Sequence, residues 1–158
     1  ICVITRINFS LIPNVQILSD IILILAIDGK LDESLIVNAI TMTVTSFYLG
    51  FGYWVLFQIL DFGMLAIINY FLFNRVNLVK NDFSKASALG ISGFIYGLII
   101  TLMQVFLVSG NKFSFMALYA GSIPFDINHM LGNIAIYLLL IRRLEKYING
   151  EKTFKEIN

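Results

Sequence analysis

Charged side chains are scarce in this chain. Asp, Glu, Lys and Arg make up 13% of the residues and hydrophobic residues make up 58%, with a mean hydropathy of +0.85. Soluble domains carry about a quarter charged residues, so this composition predicts an integral membrane protein whose main solvent is the lipid bilayer. The formal net charge of +1 excludes the strongly basic surface that nucleic-acid-binding proteins need.

Cysteine and histidine are almost absent. Cys2 is the one cysteine and His129 the one histidine, which excludes an internal disulfide and falls short of the ligand set of a typical metal site. The chain also lacks a G-x-x-x-x-G-K-[ST] loop for nucleotide phosphates. The sequence therefore predicts a protein with no metal, no cofactor and no enzymatic activity.

Apolar segments recur along the chain at lengths that suit membrane-spanning helices, which need about 20 residues. We predict an all-α, polytopic bundle of six transmembrane helices that forms a single membrane domain, with the first helix truncated in this chain. The short apolar run at 113–121 is interpreted as an external loop or an interfacial helix. The predicted spans are 1–9 (partial), 15–28, 34–50, 54–73, 86–108 and 124–141, followed by a tail at 142–158.

The positions of Lys and Arg predict the orientation, because cytoplasmic loops retain positive charge. We therefore expect a multi-pass protein with both termini in the cytoplasm, and we place the loops at Asn14, at 50–53 and at 110–123 outside. Nine of the eleven basic residues lie on the side assigned to the cytoplasm: Lys30, Arg75, Lys80, Lys85, Arg142, Arg143, Lys146, Lys152 and Lys155.

The last predicted helix carries three polar side chains within the membrane, where each is costly unless it faces protein or water. Asp126, His129 and Asn133 are spaced three and four apart, so they share one face of the helix. Such a face is typical of a ligand site. It is equally typical of an internal hydrogen-bonded network that holds one helix against another.

The fourth predicted helix carries a second polar face, made of Trp54, Gln58 and Asp61. Tryptophan also anchors helices at membrane interfaces regardless of function, so Trp54 has two interpretations. Asp61 lies about two turns into the span and needs a partner there. We predict that it pairs with His129, the ionisable group of opposite type.

Aromatic residues cluster at the connection between the third and fourth predicted helices, beside Gly50 and Gly52. Such a loop can close over a flat, heteroaromatic ligand by stacking, while the glycines let the backbone approach closely. An aromatic belt at the membrane interface explains the same pattern. The clustered residues are Phe47, Tyr48, Phe51, Tyr53 and Trp54.

Three motifs resemble those of the substrate-binding S components of energy-coupling factor (ECF) transporters. The family pattern P-N-V matches residues 13–15, and S-N-F-F-x-G-x-G-P-W-T-P-x-Q is similar to residues 45–58. The pattern P-F-D-x-x-H-A-x-G-N matches residues 124–133 apart from Met130. The resemblance covers most of the chain.

The second motif departs from the family pattern. Ser46 replaces an asparagine, and Tyr53 and Leu56 replace prolines. Shortly after the motif, Asp61 stands where the family usually carries an aromatic residue. These departures bear on the substrate more than on the family.

The resemblance implies a prokaryotic plasma-membrane subunit that captures a vitamin or related micronutrient precursor from outside for ATP-driven uptake. The implied partners are this small-molecule substrate, the lipid bilayer, an ECF transmembrane coupling subunit and, through that subunit, two cytoplasmic ATPases. Together with the two polar faces, the resemblance implies that the protein binds its substrate and catalyses no reaction. The candidate substrate-binding residues are Asn14, Ser46, Trp54, Gln58, Asp61, Asp126, His129 and Asn133.

A different class is suggested by Gly90-Ile91-Ser92-Gly93, which matches the G-x-S-G of rhomboid intramembrane serine proteases, with His129 on a later helix. A Ser–His pair performs nucleophilic catalysis only within hydrogen-bond reach. We expect Ser92 near the cytoplasmic end of its helix and His129 toward the outside, roughly a membrane's depth apart. Close helix packing through small residues is the other interpretation of Gly90 and Gly93. A non-transporting membrane scaffold is a third hypothesis for the whole chain.

Overall fold

The computed structural model describes residues 1–8, 15–109 and 114–147, and this part of the chain is helical apart from short connections. The prediction of an all-α fold is confirmed. α5 continues as a π-helical stretch, and α6 continues through a π-helical stretch into a further turn that ends at Tyr147. The helices are α1 (Cys2–Asn8), α2 (Ile17–Ile27), α3 (Leu31–Leu49), α4 (Tyr53–Asn74), α5 (Asp82–Met103) and α6 (Ser114–Ile136).

Local sequence explains where several helices begin and end. Gly29 and Gly50 follow α2 and α3 with φ angles of 88° and 103°, which glycine adopts without strain. Asn81 precedes α5, and its side-chain oxygen accepts a hydrogen bond from the backbone N–H of Ser84 at 2.8 Å. These short connections let consecutive helices pack side by side.

The most extensive contact in the bundle joins α5 and α6. A Cβ at Gly90 would lie 2.7 Å from Cδ1 of Ile134, and a Cβ at Gly93 would lie 2.9 Å from Nδ2 of Asn133. Both distances are too short for a real side chain, so the glycines are what allows the two helices to approach. The packing interpretation of Gly90 and Gly93 is confirmed.

Three helical stretches are long and apolar enough to cross a membrane: Tyr53–Asn74, Asp82–Leu107 and Phe115–Tyr147. α2 is apolar but has only 11 residues. α3 has 19 residues but is less apolar, because Asn, Ser and Thr interrupt its sequence. Within the described ranges, the structure therefore suggests a membrane protein with three such helices.

Two predicted spans begin at other positions than expected. α5 begins at Asp82 and not at residue 86, and α6 begins at Ser114 and not at residue 124. The run at 113–121, interpreted as a loop or interfacial helix, forms the first part of α6 from Ser114 onward. Pro124 lies inside this helix. Proline lacks an N–H donor, but helices in a membrane bundle tolerate it where neighbouring groups satisfy the carbonyl left free.

Charged side chains join the helices at one end of the bundle. Lys85 on α5 forms ion pairs with Asp28 at 3.3 Å and with Glu145 at 2.6 Å, and Asp82 pairs with Arg142. We call these five residues the charged end. The opposite end, where α3 connects to α4, carries exposed aromatic side chains. We call it the aromatic end, made of Phe47, Tyr48, Phe51, Tyr53 and Trp54.

Candidate functional site

A cluster of three buried polar residues joins α4, α5 and α6 in the interior, and we call it the polar core: Asp61, Tyr96 and His129. The rings of Tyr96 and His129 meet edge to face at a centroid distance of 5.0 Å. Phe62, the neighbour of Asp61, stacks on Tyr96 at 4.5 Å. Asp61 and His129 are 0% exposed and Tyr96 is 5% exposed, so the cluster lies away from both water and lipid.

The predicted pairing of Asp61 with His129 is wrong. Among the residues that the structure describes, neither oxygen of Asp61 and neither ring nitrogen of His129 has a hydrogen-bond partner. The ring of Phe62 lies edge-on to His129 at 6.2 Å. Consecutive side chains of a helix point about 100° apart around the helix axis. Because Phe62 of α4 faces His129, the adjacent side chain of Asp61 points in another direction.

Arg6 on α1 contacts the polar face of α4. Its guanidinium donates a hydrogen bond to Oε1 of Gln58 at 2.8 Å and another to Oγ1 of Thr45 on α3. The Gln58 side chain also lies near the Tyr96 hydroxyl. The candidate residue Gln58 therefore connects Arg6 to the polar core. Sequence reasoning missed Arg6 and Tyr96, although a charged residue in the short first apolar segment was a usable signal.

Asp20 on α2 is a further buried carboxylate that was not predicted as a site residue. It is 0% exposed, and both of its oxygens lack a hydrogen-bond partner in the described part of the chain. The signal was present in the sequence, since a buried acidic residue within an apolar helix, here in the first turn of α2, is expensive.

Asn133 and Asp126 both form side-chain hydrogen bonds in the described part of the chain. The Oδ1 atom of Asn133 accepts a hydrogen bond from Ser19 on α2 at 2.9 Å, and its Nδ2 donates to the carbonyl of Leu89 on α5 at 3.1 Å. Asp126 accepts a hydrogen bond from Ser122 at 3.1 Å. For Asn133 the predicted alternative, an internal network that holds helices together, describes its contacts.

Of the three remaining predicted residues, Ser46 and Trp54 lie at or near the aromatic end. Ser46 is 3% exposed and donates its hydrogen bond within α3, to the carbonyl of Thr43 at 2.6 Å. Trp54 is 44% exposed, and its ring covers Gly52, which is typical of an interfacial anchor. Asn14 lies outside the described residues.

Ser92 and His129 lie at the same level of the bundle, so the expected separation by a membrane's depth is wrong. Gly93, the neighbour of Ser92, would carry a Cβ 3.0 Å from the backbone of His129. The expectation was wrong because α6 begins at Ser114 and not at residue 124, so His129 lies in the middle of a long helix and not near its outer end. Ser92 itself accepts a hydrogen bond from Nδ2 of Asn69 on α4 at 2.9 Å. No Ser–His hydrogen bond forms between these two described residues.

Two grooves open on the sides of the bundle. One, of about 340 Å³, lies between α4 and α5 and has Asn69 and Ser92 in its lining. The other, of about 620 Å³, lies between α3 and α4 and includes Asn38 and Gly63. Neither groove is lined by the polar core. Both are largely apolar, so lipid chains suit them better than a polar ligand does.

The described residues contain no group of three or more His, Cys, Asp or Glu side chains that could hold a metal ion. Comparison of the chain with protein-family models, with curated proteins and with solved structures finds no match. The candidate site is therefore defined by its own geometry: buried ionisable groups on α4 and α6, with Tyr96 between the helices and Arg6 at their edge.

Proposed function

We propose that this protein is the substrate-binding S component of an ECF-type transporter and that the polar core is part of its ligand site. The observation that carries the proposal is the pair Asp61 and His129, both 0% exposed and both without hydrogen-bond partners among the described residues. A charged side chain at the centre of a membrane helix costs about 2.5–3.5 kcal/mol on insertion scales. A ligand that supplies the missing donors and acceptors offsets such a cost, which gives a reason for both residues to be there.

In this proposal the helices form one bundle of six membrane segments in the plasma membrane of a prokaryote. The charged end faces the cytoplasm, because basic residues concentrate there. The aromatic end faces outward and receives the micronutrient. The coupling subunit binds the bundle within the membrane, and its two ATPases supply the energy for release. The sequence motifs at 45–58 and 124–133 are the support for this assembly.

Capture requires movement of the helices, because solvent does not reach the atoms of Asp61 and His129. α1 carries Arg6 and contacts α2 and α3. We infer that a ligand arriving from the aromatic end separates Arg6 from Gln58 and then reaches the polar core. Trp54 and its aromatic neighbours guide this approach, while Asn133 keeps α2, α5 and α6 together.

The test is thermal stabilisation of the detergent-purified chain against a panel of vitamins, nucleobases and their precursors. A ligand that binds only the folded state at 100 times its Kd stabilises by about 2.7 kcal/mol, which is readily seen as a rise in melting temperature. The wild type is compared with His129→Ala and with a matched control, Asn128→Ala. Asn128 is the adjacent residue and is exposed.

We expect a ligand that stabilises the wild type and Asn128→Ala but not His129→Ala. Equal stabilisation of all three proteins would remove His129 from the site. If no compound in the panel raises the melting temperature of the wild type, a membrane scaffold becomes the better hypothesis. If the protein cleaves a transmembrane test peptide and this cleavage depends on Ser92, the protease hypothesis replaces the transporter hypothesis.

A further inference from the structure

We infer that the ligand carries an anionic group, a carboxylate or a phosphate, which binds the guanidinium of Arg6 while a donor group of the ligand binds Asp61. This inference rests on the proposed function and names the chemical class of its substrate. It arises from the arrangement of Arg6, Gln58, Tyr96 and Asp61.

Arg6 has only neutral partners in the parts of the chain that the structure describes. Its two hydrogen bonds go to the hydroxyl of Thr45 and the amide oxygen of Gln58, and the ion pairs between described residues all involve other side chains. A guanidinium has five N–H donors in a planar fork that matches a carboxylate or a phosphate. Arg6 is partly buried and its partners among these described residues are all neutral, so its guanidinium is suited to bind an anionic group.

Asp61 is the complementary half of the arrangement. It is close enough to Tyr96 to interact with it electrostatically, and so is Arg6. The two opposite charges nevertheless do not pair, since the oxygens of Asp61 lack partners. The Tyr96 hydroxyl and the Gln58 amide therefore separate a cationic group from an acidic one. A ligand that carries an anionic group at Arg6 and an N–H or amino donor at Asp61 satisfies both ends at once.

The position of Arg6 fits a ligand that comes from the aromatic end. Thr45 lies one turn before the end of α3, and Gln58 lies in the second turn of α4. Arg6 would thus meet the anionic group first, and Asp61 lies one turn deeper on α4. A phospholipid phosphate at the membrane surface has the same anionic chemistry, so the experiment must separate it from a soluble ligand.

The experiment measures binding in phospholipid-free detergent with three matched pairs of compounds: nicotinate and nicotinamide, 4-aminobenzoate and 4-aminobenzamide, and pyridoxal 5′-phosphate and pyridoxal. The proteins are the wild type, Arg6→Gln, Arg6→Lys and a control, Arg75→Gln, whose side chain is exposed. We expect an anionic member to bind the wild type and Arg75→Gln. Its affinity should fall on the order of tenfold to a hundredfold in Arg6→Gln and less in Arg6→Lys, which keeps the charge but loses the fork.

A second variant keeps the test valid if Arg6→Gln does not fold. Gln58→Glu places a carboxylate where Arg6 already bonds, so it supplies an internal counter-ion and should preserve the fold. We expect this variant to lose the anionic compound. Unchanged binding of the anionic compound to Gln58→Glu would overturn the inference.

The remaining outcomes separate the inference from the proposed function. A neutral or cationic compound from either panel could bind with the same affinity to the wild type and to the Arg6 variants. In that case the inference is wrong and the transporter proposal stands. If neither panel contains a ligand, both fail together. If anionic phospholipid added to the detergent raises the melting temperature through Arg6 while soluble anions do not, the site belongs to a lipid and the inference is overturned.

Discussion

Gly97 on α5 lies directly against the carboxylate of Asp126 on α6, so closely that a Cβ at this glycine would overlap the carboxylate. Asp126 is 1% exposed, and its neighbour on the next turn is His129. The absence of a side chain at position 97 therefore makes room for a buried acid, and the spacing of α5 and α6 at the polar core depends on it.

We expect Gly97→Ala to destabilise the protein by about 1–3 kcal/mol, because the added methyl group forces Asp126 or the whole of α6 to move. The measurement is the melting temperature or the denaturant midpoint of the detergent-purified chain. Gly121→Ala is the matched control, since a Cβ there meets nothing within 4 Å and alanine favours the helix. Equal stability of Gly97→Ala and the wild type would contradict this packing.

Asn133→Ala is expected to cost about 1–3 kcal/mol, because it removes two interhelical hydrogen bonds and leaves the carbonyl of Leu89 without this donor. Asn128→Ala, an exposed amide on the same helix, should change stability by less than about 0.5 kcal/mol. Both variants can be compared by chemical denaturation. If both substitutions lower the free energy of unfolding by similarly small amounts, the hydrogen bonds of Asn133 with Ser19 and Leu89 contribute little to stability.

Lys85→Met is expected to destabilise the charged end by about 1–3 kcal/mol, since Glu145 and Asp28 then lose their common cation. The side chain of Lys85 is 11% exposed, so its ion pairs are screened less by salt than surface pairs are. Lys80→Met removes an exposed lysine whose hydrogen bond among the described residues goes to the neutral Asn74, and it should have little effect. If the loss in Lys85→Met vanished at about 0.1 M salt, where screening acts within roughly 10 Å, the pairs would be ordinary surface contacts.

A double-mutant cycle on Asn69 and Ser92 tests why Ser92 is present. Their hydrogen bond of 2.9 Å joins α4 to α5 in a buried position, so we expect a coupling free energy of about 0.5–1.5 kcal/mol between Asn69→Ala and Ser92→Ala. Additive effects of the two substitutions would mean that the contact does not stabilise the bundle, and would leave the conspicuous serine without a structural role.

The polar faces show how far sequence periodicity reaches. The spacing of Asp126, His129 and Asn133 predicted one shared face, and all three are buried on α6. It did not predict that Asn133 would have hydrogen-bond partners on two other helices while His129 would have no such partner among the described residues. Spacing along one helix fixes which residues share a face, but the partner groups are set by the rotation and axial shift of the neighbouring helices.

The helix boundaries show a similar division. Glycines lie just past the ends of α2 and α3, close to where the spans were predicted to end, because turns depend on a few adjacent residues. The Asn81 cap was not recognised, and the span that became α5 was predicted to begin at residue 86. The start of α6 was predicted at Pro124 because the short apolar run at 113–121 was interpreted as an external loop or an interfacial helix. Inside the bundle the helix continues through it, and this shifts His129 from near a helix end to the middle of a long helix.

By itself, the sequence determined that this chain is helical, largely apolar and interrupted by a few polar residues that need partners, since composition and helical periodicity act within single segments. The tertiary structure decided which of those residues meet. It turned Phe62 toward His129 in place of Asp61, and it brought Arg6 to Gln58, which is 52 positions away along the chain. Contacts at that separation depend on how all the helices pack together, and no local pattern contains that information.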